Sequence, residues 1–285
     1  MDSKIGSGYA DTEGTRLIRA LLAEGHFVFA TDEAAAVGST IGIKRAGLNQ
    51  VLALLNKSGW ISRLRRGLYV ISGGMPGSVN VHPFLIATRL VEPSAISHWS
   101  AMNYHGLSEQ VPQVVTAFTS KKINPPNYRT GMKERSNRKP SLEVMGLCYE
   151  YITVKPAFFF GFGEEWVDAN SKVPITDKER TVLEGFISPR YFGGLGTILD
   201  ILEEHYDELN IERLAEYSLH IEKASAIKRL GWALESVGAP ESILVPLRDF
   251  PLKGFRLLDP TLPQQGPYDR GWMIQNNLQQ VGDAR

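Results

Sequence analysis

The 285-residue sequence predicts an α+β protein in two parts, a small N-terminal domain and a larger mixed α/β domain. Two observations predict the first part. Apolar residues recur at helical spacing before residue 58, and two short strands then flank the turn Arg65-Arg66-Gly67. A run of Gly, Pro and Ser from Ser72 to Ser78 marks a linker. We therefore predict domains at residues 1–78 and 79–285.

Two helices are predicted before residue 41. The first runs from Thr12, a favourable N-cap, to Ala23. Its apolar stripe consists of Leu17, Ile18, Leu21 and Leu22. The second helix is short: Thr31 is predicted to cap it, two acidic residues follow in its first turn, and Gly38 is predicted to end it in a left-handed turn. This second helix would support the one that follows.

The third predicted helix follows the turn at residues 39–42 and carries the most informative pattern. Its apolar stripe consists of Leu48, Val51, Leu52 and Leu55. The opposite face presents Arg45, Asn49, Gln50, Ala53 and Lys57. Arg, Asn and Gln side chains can hold a base edge with two hydrogen bonds. Three helices followed by a hairpin is the order of a winged helix-turn-helix, in which this third helix reads DNA.

Charge supports the same interpretation. Residues 41–72 contain six basic residues and no acidic one, although the net charge of the whole chain is zero. An acid-free basic stretch is typical of a nucleic-acid interface. The predicted DNA-binding residues are Lys44, Arg45, Asn49, Gln50, Lys57, Arg63, Arg65 and Arg66. The alternative is a solvated basic face on an ordinary helical domain.

The hairpin and the helix are expected to do different things. Flexible basic side chains at a hairpin tip meet the DNA backbone or the minor groove first, so the three hairpin arginines are predicted to hold phosphates rather than to read bases. Gly47 lies inside the third helix, where it costs about 1 kcal/mol relative to Ala. Its lack of a side chain would allow close approach to a phosphate or to a neighbouring helix.

The second domain is predicted to contain an antiparallel sheet and to become helical towards its C-terminus. Helices are predicted over residues 82–91, 95–105, 176–188, 192–206, 211–219 and 223–237, and strands over residues 111–119, 143–154, 157–162 and 255–258. Thr176 and Glu179 have the spacing of a capping box, with Pro189 ending that helix. Residues 193–196, Gly-Gly-Leu-Gly, are interpreted as a turn that opens a helix.

A second basic segment lies between residues 121 and 139, in a stretch rich in Asn and Pro that resembles a long loop. Seven basic residues there stand against Glu134 alone. They are Lys121, Lys122, Arg129, Lys133, Arg135, Arg138 and Lys139. A second nucleic-acid contact is one interpretation; disorder or a neutralising contact within the fold are the alternatives.

The sequence favours a cytoplasmic protein without membrane partners. No apolar run approaches the roughly 20 residues that span a bilayer, and the N-terminus lacks the apolar core of a signal peptide. The single cysteine, Cys148, excludes an internal disulfide and a cysteine-rich zinc site.

No catalytic site, metal or cofactor is predicted. His98 and His105 would share a helix face, but a metal needs a third ligand and none is near in sequence. Glu150 and Lys155 could correspond to the acidic residue and lysine on one strand of restriction-type nucleases. However, they lie five residues apart, and no partner Asp is evident in the sequence. We therefore expect a protein that is not an enzyme.

Four segments together resemble the AbiEi antitoxin and transcriptional-regulator family of bacterial abortive-infection, type IV toxin-antitoxin systems, which act in phage defence. They are GWISRLRRGLYVIS, AISHWSAMNYHGLSEQVPQ, PITDKERTVLEGFISPRYFGG and FRLLDPTLPQQGPYDRGWMIQNNL. The resemblance covers most of the chain. It implies an N-terminal domain that represses its own operon at inverted repeats in double-stranded DNA, and a C-terminal domain that neutralises a nucleotidyltransferase-like toxin.

The basic recognition helix and wing of that family fall on the same eight residues that the charge pattern selects. Residues that neutralise the toxin cannot be transferred in this way, because the second and third segments resemble core helices as much as a functional surface. Two other classes stay open: a winged-helix regulator whose C-terminal domain senses a small ligand, and a DNA-targeted nuclease.

Overall fold

The computed structural model describes residues 12–73, 75, 80–123 and 141–278. Within these ranges the protein is a mixed α+β structure with ten α-helices and three β-sheets. None of these helices is both long and apolar enough to span a bilayer. The chain divides into two compact units, the first formed by Met1–Glu92, Glu143–Gly146 and Glu165–Val173, and the second by the remaining residues. The predicted boundary after residue 78 lies at residues 76–79, outside the described ranges.

The first unit begins with three helices and a three-stranded antiparallel sheet. The elements are α1 (Glu13–Ala23), β1 (Val28–Ala30), α2 (Thr31–Thr40), α3 (Arg45–Lys57), β2 (Ile61–Arg65) and β3 (Leu68–Ile71), followed by α4 (Pro83–Leu90). The strand order is β1-β3-β2, so the hairpin lies on one side of β1. The predicted helices and hairpin are confirmed as elements, and the hydroxyl of Thr12 caps α1 as expected.

Packing explains why α1, α2 and α3 hold together. Their apolar stripes and the strands enclose one core, in which Leu17, Leu21 and Phe29 are fully buried. The predicted stripe of α3 is buried as well. Leu22 is different: it is exposed, so the stripe of α1 is narrower than predicted. Burial of these side chains supplies the main stabilising free energy of a short helical unit, because helices of this length are marginal alone.

Two details of α2 correct the sequence prediction. Its N-cap is Ala30, not Thr31, and the capping interaction comes from Glu33, whose Oε2 accepts from the Ala30 amide at 2.6 Å. Gly38 does not end the helix. It lies inside α2, where a Cβ would stand 3.5 Å from Ile43, and the left-handed glycine is Gly42 with φ of 84°.

The second unit contains six helices and most of the remaining strands. The helices are α5 (His98–Tyr104), α6 (Lys178–Ile187), α7 (Gly196–Glu204), α8 (Ile211–Ile221), α9 (Ala224–Ser236) and α10 (Glu241–Asp249). The strands of the rest of the chain are β4 (Ala95–Ile96), β5 (Val114–Thr119), β6 (Ser141–Val144), β7 (Leu147–Thr153), β8 (Phe162–Asp168), β9 (Ser171–Thr176), β10 (Arg256–Leu257), β11 (Tyr268–Asp269) and β12 (Ile274–Gln275).

The large sheet is mixed, so the prediction of an antiparallel sheet is wrong. Its strand order is β6-β7-β5-β4-β9-β8. β5 runs parallel to β7 over its whole length, from Val114 opposite Cys148 to Thr119 opposite Thr153. β4 is antiparallel to β5 and parallel to β9. Strand direction depends on the long connections between paired strands, and local periodicity carries no information about it.

Three predicted elements break where the prediction made them continuous. The helix over residues 95–105 is a two-residue strand, β4, followed by α5, because residues 95 and 96 pair with two neighbouring strands. The strand over residues 143–154 is split by Met145 and Gly146, whose φ values of 55° and 75° form a tight turn. The predicted strand over residues 157–162 instead begins with a short 3₁₀ turn at Pro156–Phe158. β8 begins only at Phe162, the last residue of the predicted strand.

The C-terminal helices also differ in detail from the prediction. The capping box at Thr176 is wrong: Thr176 ends β9, and Asp177 caps α6 by accepting from the Arg180 amide at 2.7 Å. α7 begins at Gly196, after the turn that the glycines form. α10 was not predicted, because Pro246 lies inside it. The Lys228 ammonium satisfies the last carbonyls of α10 by donating to Leu247 and Arg248.

α6 is the central helix of the second unit. Every residue from Glu179 to Phe186 is buried, polar residues included. Glu179 accepts from the Asn210 amide at 2.8 Å, at the start of α8. A helix that is buried on all sides must satisfy its polar groups inside the protein, because water cannot reach them.

Gly231 allows α9 to pack closely against the C-terminal segment that contains Trp272. A Cβ at Gly231 would lie 2.0 Å from Cζ3 of the buried Trp272. Gly231→Ala should therefore lower the free energy of unfolding by about 1–3 kcal/mol, through overpacking. Chemical denaturation of the full chain measures this. Gly47→Ala is the matched control, since no described atom lies within 4 Å of the added Cβ, and it should stabilise by up to about 1 kcal/mol. Equal effects of the two changes would contradict the packing argument.

Candidate nucleic-acid interface

α3 presents one polar, exposed face. Lys44 is the N-cap of this helix, and Arg45 is its first residue. Asn49 and Gln50 follow one turn later, and Lys57 ends the helix. All five side chains are exposed, while the opposite stripe is buried. The structure thus brings together the helix residues that the sequence selected.

The hairpin is held firmly against α2. Gly67 has φ of 76°, a backbone conformation that other residues adopt at a cost, and its carbonyl accepts from the Thr31 amide at 2.9 Å. The register between β2 and β3 shifts between Arg63 and Arg65. The Nε of Arg63 donates to the Arg65 carbonyl at 3.3 Å across this irregularity. Arg63, Arg65 and Arg66 are all exposed. The turn is therefore fixed, while its cationic side chains extend into solvent.

One predicted contact residue already has an acidic partner. Arg45 Nη2 lies 2.8 Å from Asp32 Oδ1 in α2, and the two side chains are 79% and 85% exposed. An ion pair this exposed contributes little free energy, about 0–1 kcal/mol, so it does not prevent Arg45 from turning to another anion. Residues 41–72 contain no acid, but the fold places the carboxylate of Asp32, at the start of α2, beside Arg45.

α2 itself is anchored by a partly buried charge network. Glu33 forms a short ion pair with Arg89 of α4, and Arg89 also pairs with Glu92 at 2.7 Å. Glu33 and Arg89 are about one quarter to one third exposed. Together with the cap on Ala30, these contacts fix the helix that carries Thr31 and supports the hairpin.

The second basic segment is described only at its start. Lys121 and Lys122 are exposed, and the Lys121 amide donates to the Thr119 hydroxyl at the end of β5. Arg129, Lys133, Arg135, Arg138 and Lys139 lie outside the described residues. The two lysines belong to the second unit and α3 belongs to the first.

Sequence reasoning missed a buried polar cluster in the second unit. Glu184 Oε1 lies 2.6 Å from Arg180 Nη2, and Glu184 Oε2 lies 3.8 Å from His98 Nε2. His98 Nδ1 lies 2.9 Å from Ser97 Oγ. All four residues are buried. The spacing of Arg180 and Glu184, four apart on a helix, was the available signal, but on an exposed helix the same pair would be a surface salt bridge.

The histidine pair and the acid-lysine pair considered in the sequence do not assemble. His98 begins α5 with φ of 54°, whereas His105 follows the end of this helix and lies 2.6 Å from the Thr176 carbonyl. Glu150 and Lys155 line two different cavities of the second unit. Neither pair therefore forms a common site.

Comparison with models of known protein families finds no match to this chain, and comparison with curated proteins finds none either. Among solved structures, the chain is similar to the crystal structure of the RV2827C protein from Mycobacterium tuberculosis. The TM-score is 0.62 and the sequence identity 15%, over 93% of this chain and 91% of that one. At this identity the likeness concerns the fold alone.

Proposed function

We propose that the N-terminal unit is a winged helix that binds double-stranded DNA. The observation that carries this proposal is the common exposure of eight polar and basic side chains on α3 and the β2–β3 hairpin, in a stretch without acids. The element order α1, β1, α2, α3, β2, β3 supports it, since in winged helices a recognition helix is followed by a hairpin. The two parts that would touch DNA are adjacent in sequence and share one apolar core.

Within this proposal α3 reads bases and the hairpin holds phosphates. Asn49 and Gln50 lie on the exposed face one turn into α3, where side chains reach base edges in the major groove. Arg63, Arg65 and Arg66 provide exposed positive charge at the hairpin, which suits the DNA backbone. Arg45 would exchange Asp32 for a phosphate or a guanine.

We further propose that the protein is a transcriptional repressor of its own operon and an antitoxin against a nucleotidyltransferase-like toxin. The support is the resemblance of four long segments to the AbiEi family, one of which contains the β2–β3 hairpin while the other three lie in the second unit. The proposal assigns the second unit to antitoxicity and no catalytic role to the chain.

The base-reading role of Asn49 predicts a loss of sequence discrimination. Asn49→Ala should weaken binding to the upstream DNA of its own gene by about 1–3 kcal/mol and binding to random DNA much less. Fluorescence anisotropy at one salt concentration measures both. Asn56→Ala, at the far end of the same helix face, is the control and should change affinity by no more than about twofold. Equal losses on both DNAs would mean that Asn49 contacts the backbone.

The phosphate role of the hairpin predicts a change in salt dependence. Replacing Arg63, Arg65 and Arg66 with Ala should weaken specific and random DNA alike and lower the slope of log K against log salt by about 0.9 for each lost phosphate contact. Arg16→Ala, an exposed cation on α1, is the control and should leave the slope unchanged. A triple variant with the wild-type slope would place the hairpin outside the interface.

Repression and antitoxicity should separate in the full chain. The first unit contains segments from three parts of the sequence, so a truncation after residue 78 would cut through it. A full-length variant with Asn49→Ala and the three hairpin substitutions should lose repression of an operator reporter yet still restore growth. The toxin is expressed from an unrelated promoter in this test. Loss of growth rescue by a soluble variant would show that antitoxicity requires DNA binding.

A further inference from the structure

A cavity of about 410 Å³ opens in the second unit beside α6 and the junction of α8 with α9. Phe158, Ile187 and Ile221 supply an apolar part of its wall. Its charged wall consists of three cations, Lys155, Arg180 and Lys223, and two carboxylates, Glu184 and Glu222. Its volume is in the range of small-molecule sites.

Arg180 is an unusual component of such a wall because it is 1% exposed. Its guanidinium carbon lies 5.5 Å from the ring centre of Phe118 and 5.0 Å from that of Phe160. These cation–π contacts do not use the N–H groups, which stay available for hydrogen bonds. The position of the guanidinium is therefore fixed by packing.

The edge of the guanidinium is only partly satisfied. Nη2 donates to the Phe158 carbonyl at 3.2 Å and forms an ion pair with Glu184 Oε1 at 2.6 Å. Nε and Nη1 have no hydrogen-bond partner within the described ranges. A buried donor without a partner carries a free-energy cost, which an acceptor bound beside it would remove.

The cavity has an excess of positive charge. Three cations against two carboxylates leave one net charge, and Glu184 is already engaged by Arg180. Burial lowers the pKa of Lys223, the nearby Arg229 lowers it further, and Glu184 opposes both effects. Lys223 Nζ donates to the Ile187 carbonyl at 2.5 Å, which holds the ammonium near the cavity. The start of α9, which Lys223 caps, adds the positive end of a helix dipole.

We propose that this cavity binds a small monocarboxylic acid with an apolar body. One carboxylate neutralises the single excess charge, whereas a dianion would exceed it. Its two oxygens match the planar arrangement of N–H groups on Arg180, and Lys155 and Lys223 hold it from the rim. The apolar body packs against Phe158, Ile187 and Ile221. This site stands independently of DNA binding by the first unit.

Benzoate is the probe, and benzamide is its uncharged counterpart of nearly equal shape. Isothermal titration calorimetry on the full chain should show benzoate binding at least about tenfold more tightly than benzamide, as expected for a charge-assisted hydrogen bond. In protein labelled with ¹⁵N arginine, benzoate should shift an Nε–Hε signal that is missing from Arg180→Lys. Equal affinities of the two probes would overturn the proposal.

Variants on the exposed rim locate the site without disturbing the core. Lys155→Gln combined with Lys223→Gln should weaken benzoate binding about tenfold, and Lys253→Gln, an exposed lysine outside the cavity wall, should leave it unchanged. Wild-type affinity in the double variant would place binding elsewhere. If phenyl phosphate binds more tightly than benzoate, the site prefers a phosphate group to a carboxylate. This result would contradict the proposed ligand class.

Discussion

The burial of α6 on all sides is the constraint on which the second unit depends. Helices α5, α7, α8 and α9 all contact α6, so its polar side chains must find partners inside the protein. Glu179 organises the start of α8, Asp177 caps α6 and accepts from Tyr217, and Glu184 meets Arg180. A polar helix in this position constrains α5 and α8 in particular, because His98 of α5 and both Asn210 and Tyr217 at α8 meet its carboxylates.

The buried side chain of Arg180 constrains the segments that pack around it. Gly161 passes so close that a Cβ there would lie 2.9 Å from the Arg180 Cβ and Cγ, at a φ of 74° that disfavours other residues. Phe118 of β5 and Phe160 cover the guanidinium. Sheet, loop and helix thus meet at one charged group. Such a group stabilises only when its partners are complete, and the unsatisfied edge of Arg180 is what distinguishes it from a purely structural ion pair.

The first unit differs from the second in where its charged groups lie. Its core is apolar, and its charges lie on the outside, where those of α3 and the hairpin accumulate with one sign. The charges that stabilise its architecture are separate from this surface: Glu33, Arg89 and Glu92 tie α2 to α4. Substitution of the exposed cations therefore changes the electrostatic surface while the core and the α2 network stay intact, which makes the proposed interface open to mutagenesis.

Local pattern was sufficient for most of the first unit and for the later helices of the second. The stripe of α3, the N-cap Thr12, the β2–β3 hairpin, α8 and α9 each depend on residues within a few positions of one another. The boundary between β4 and α5 was decided by distant contacts instead. Ala95 and Ile96 form a strand because they pair with β5 and β9, and Ile96 stands opposite Ile175.

The sequence by itself therefore determined the α+β class, the apolar stripes, and the acid-free basic stretch with its eight candidate residues, since composition and short-range spacing carry this information. Only the tertiary structure decided the mixed direction of the large sheet, the pairing of Arg45 with Asp32 and the enclosure of Arg180 within the second unit. The physical reason is that strand direction, ion pairing and burial are set by which distant segments meet. A local helical pattern cannot distinguish an arginine that faces solvent from one that is buried against aromatic rings.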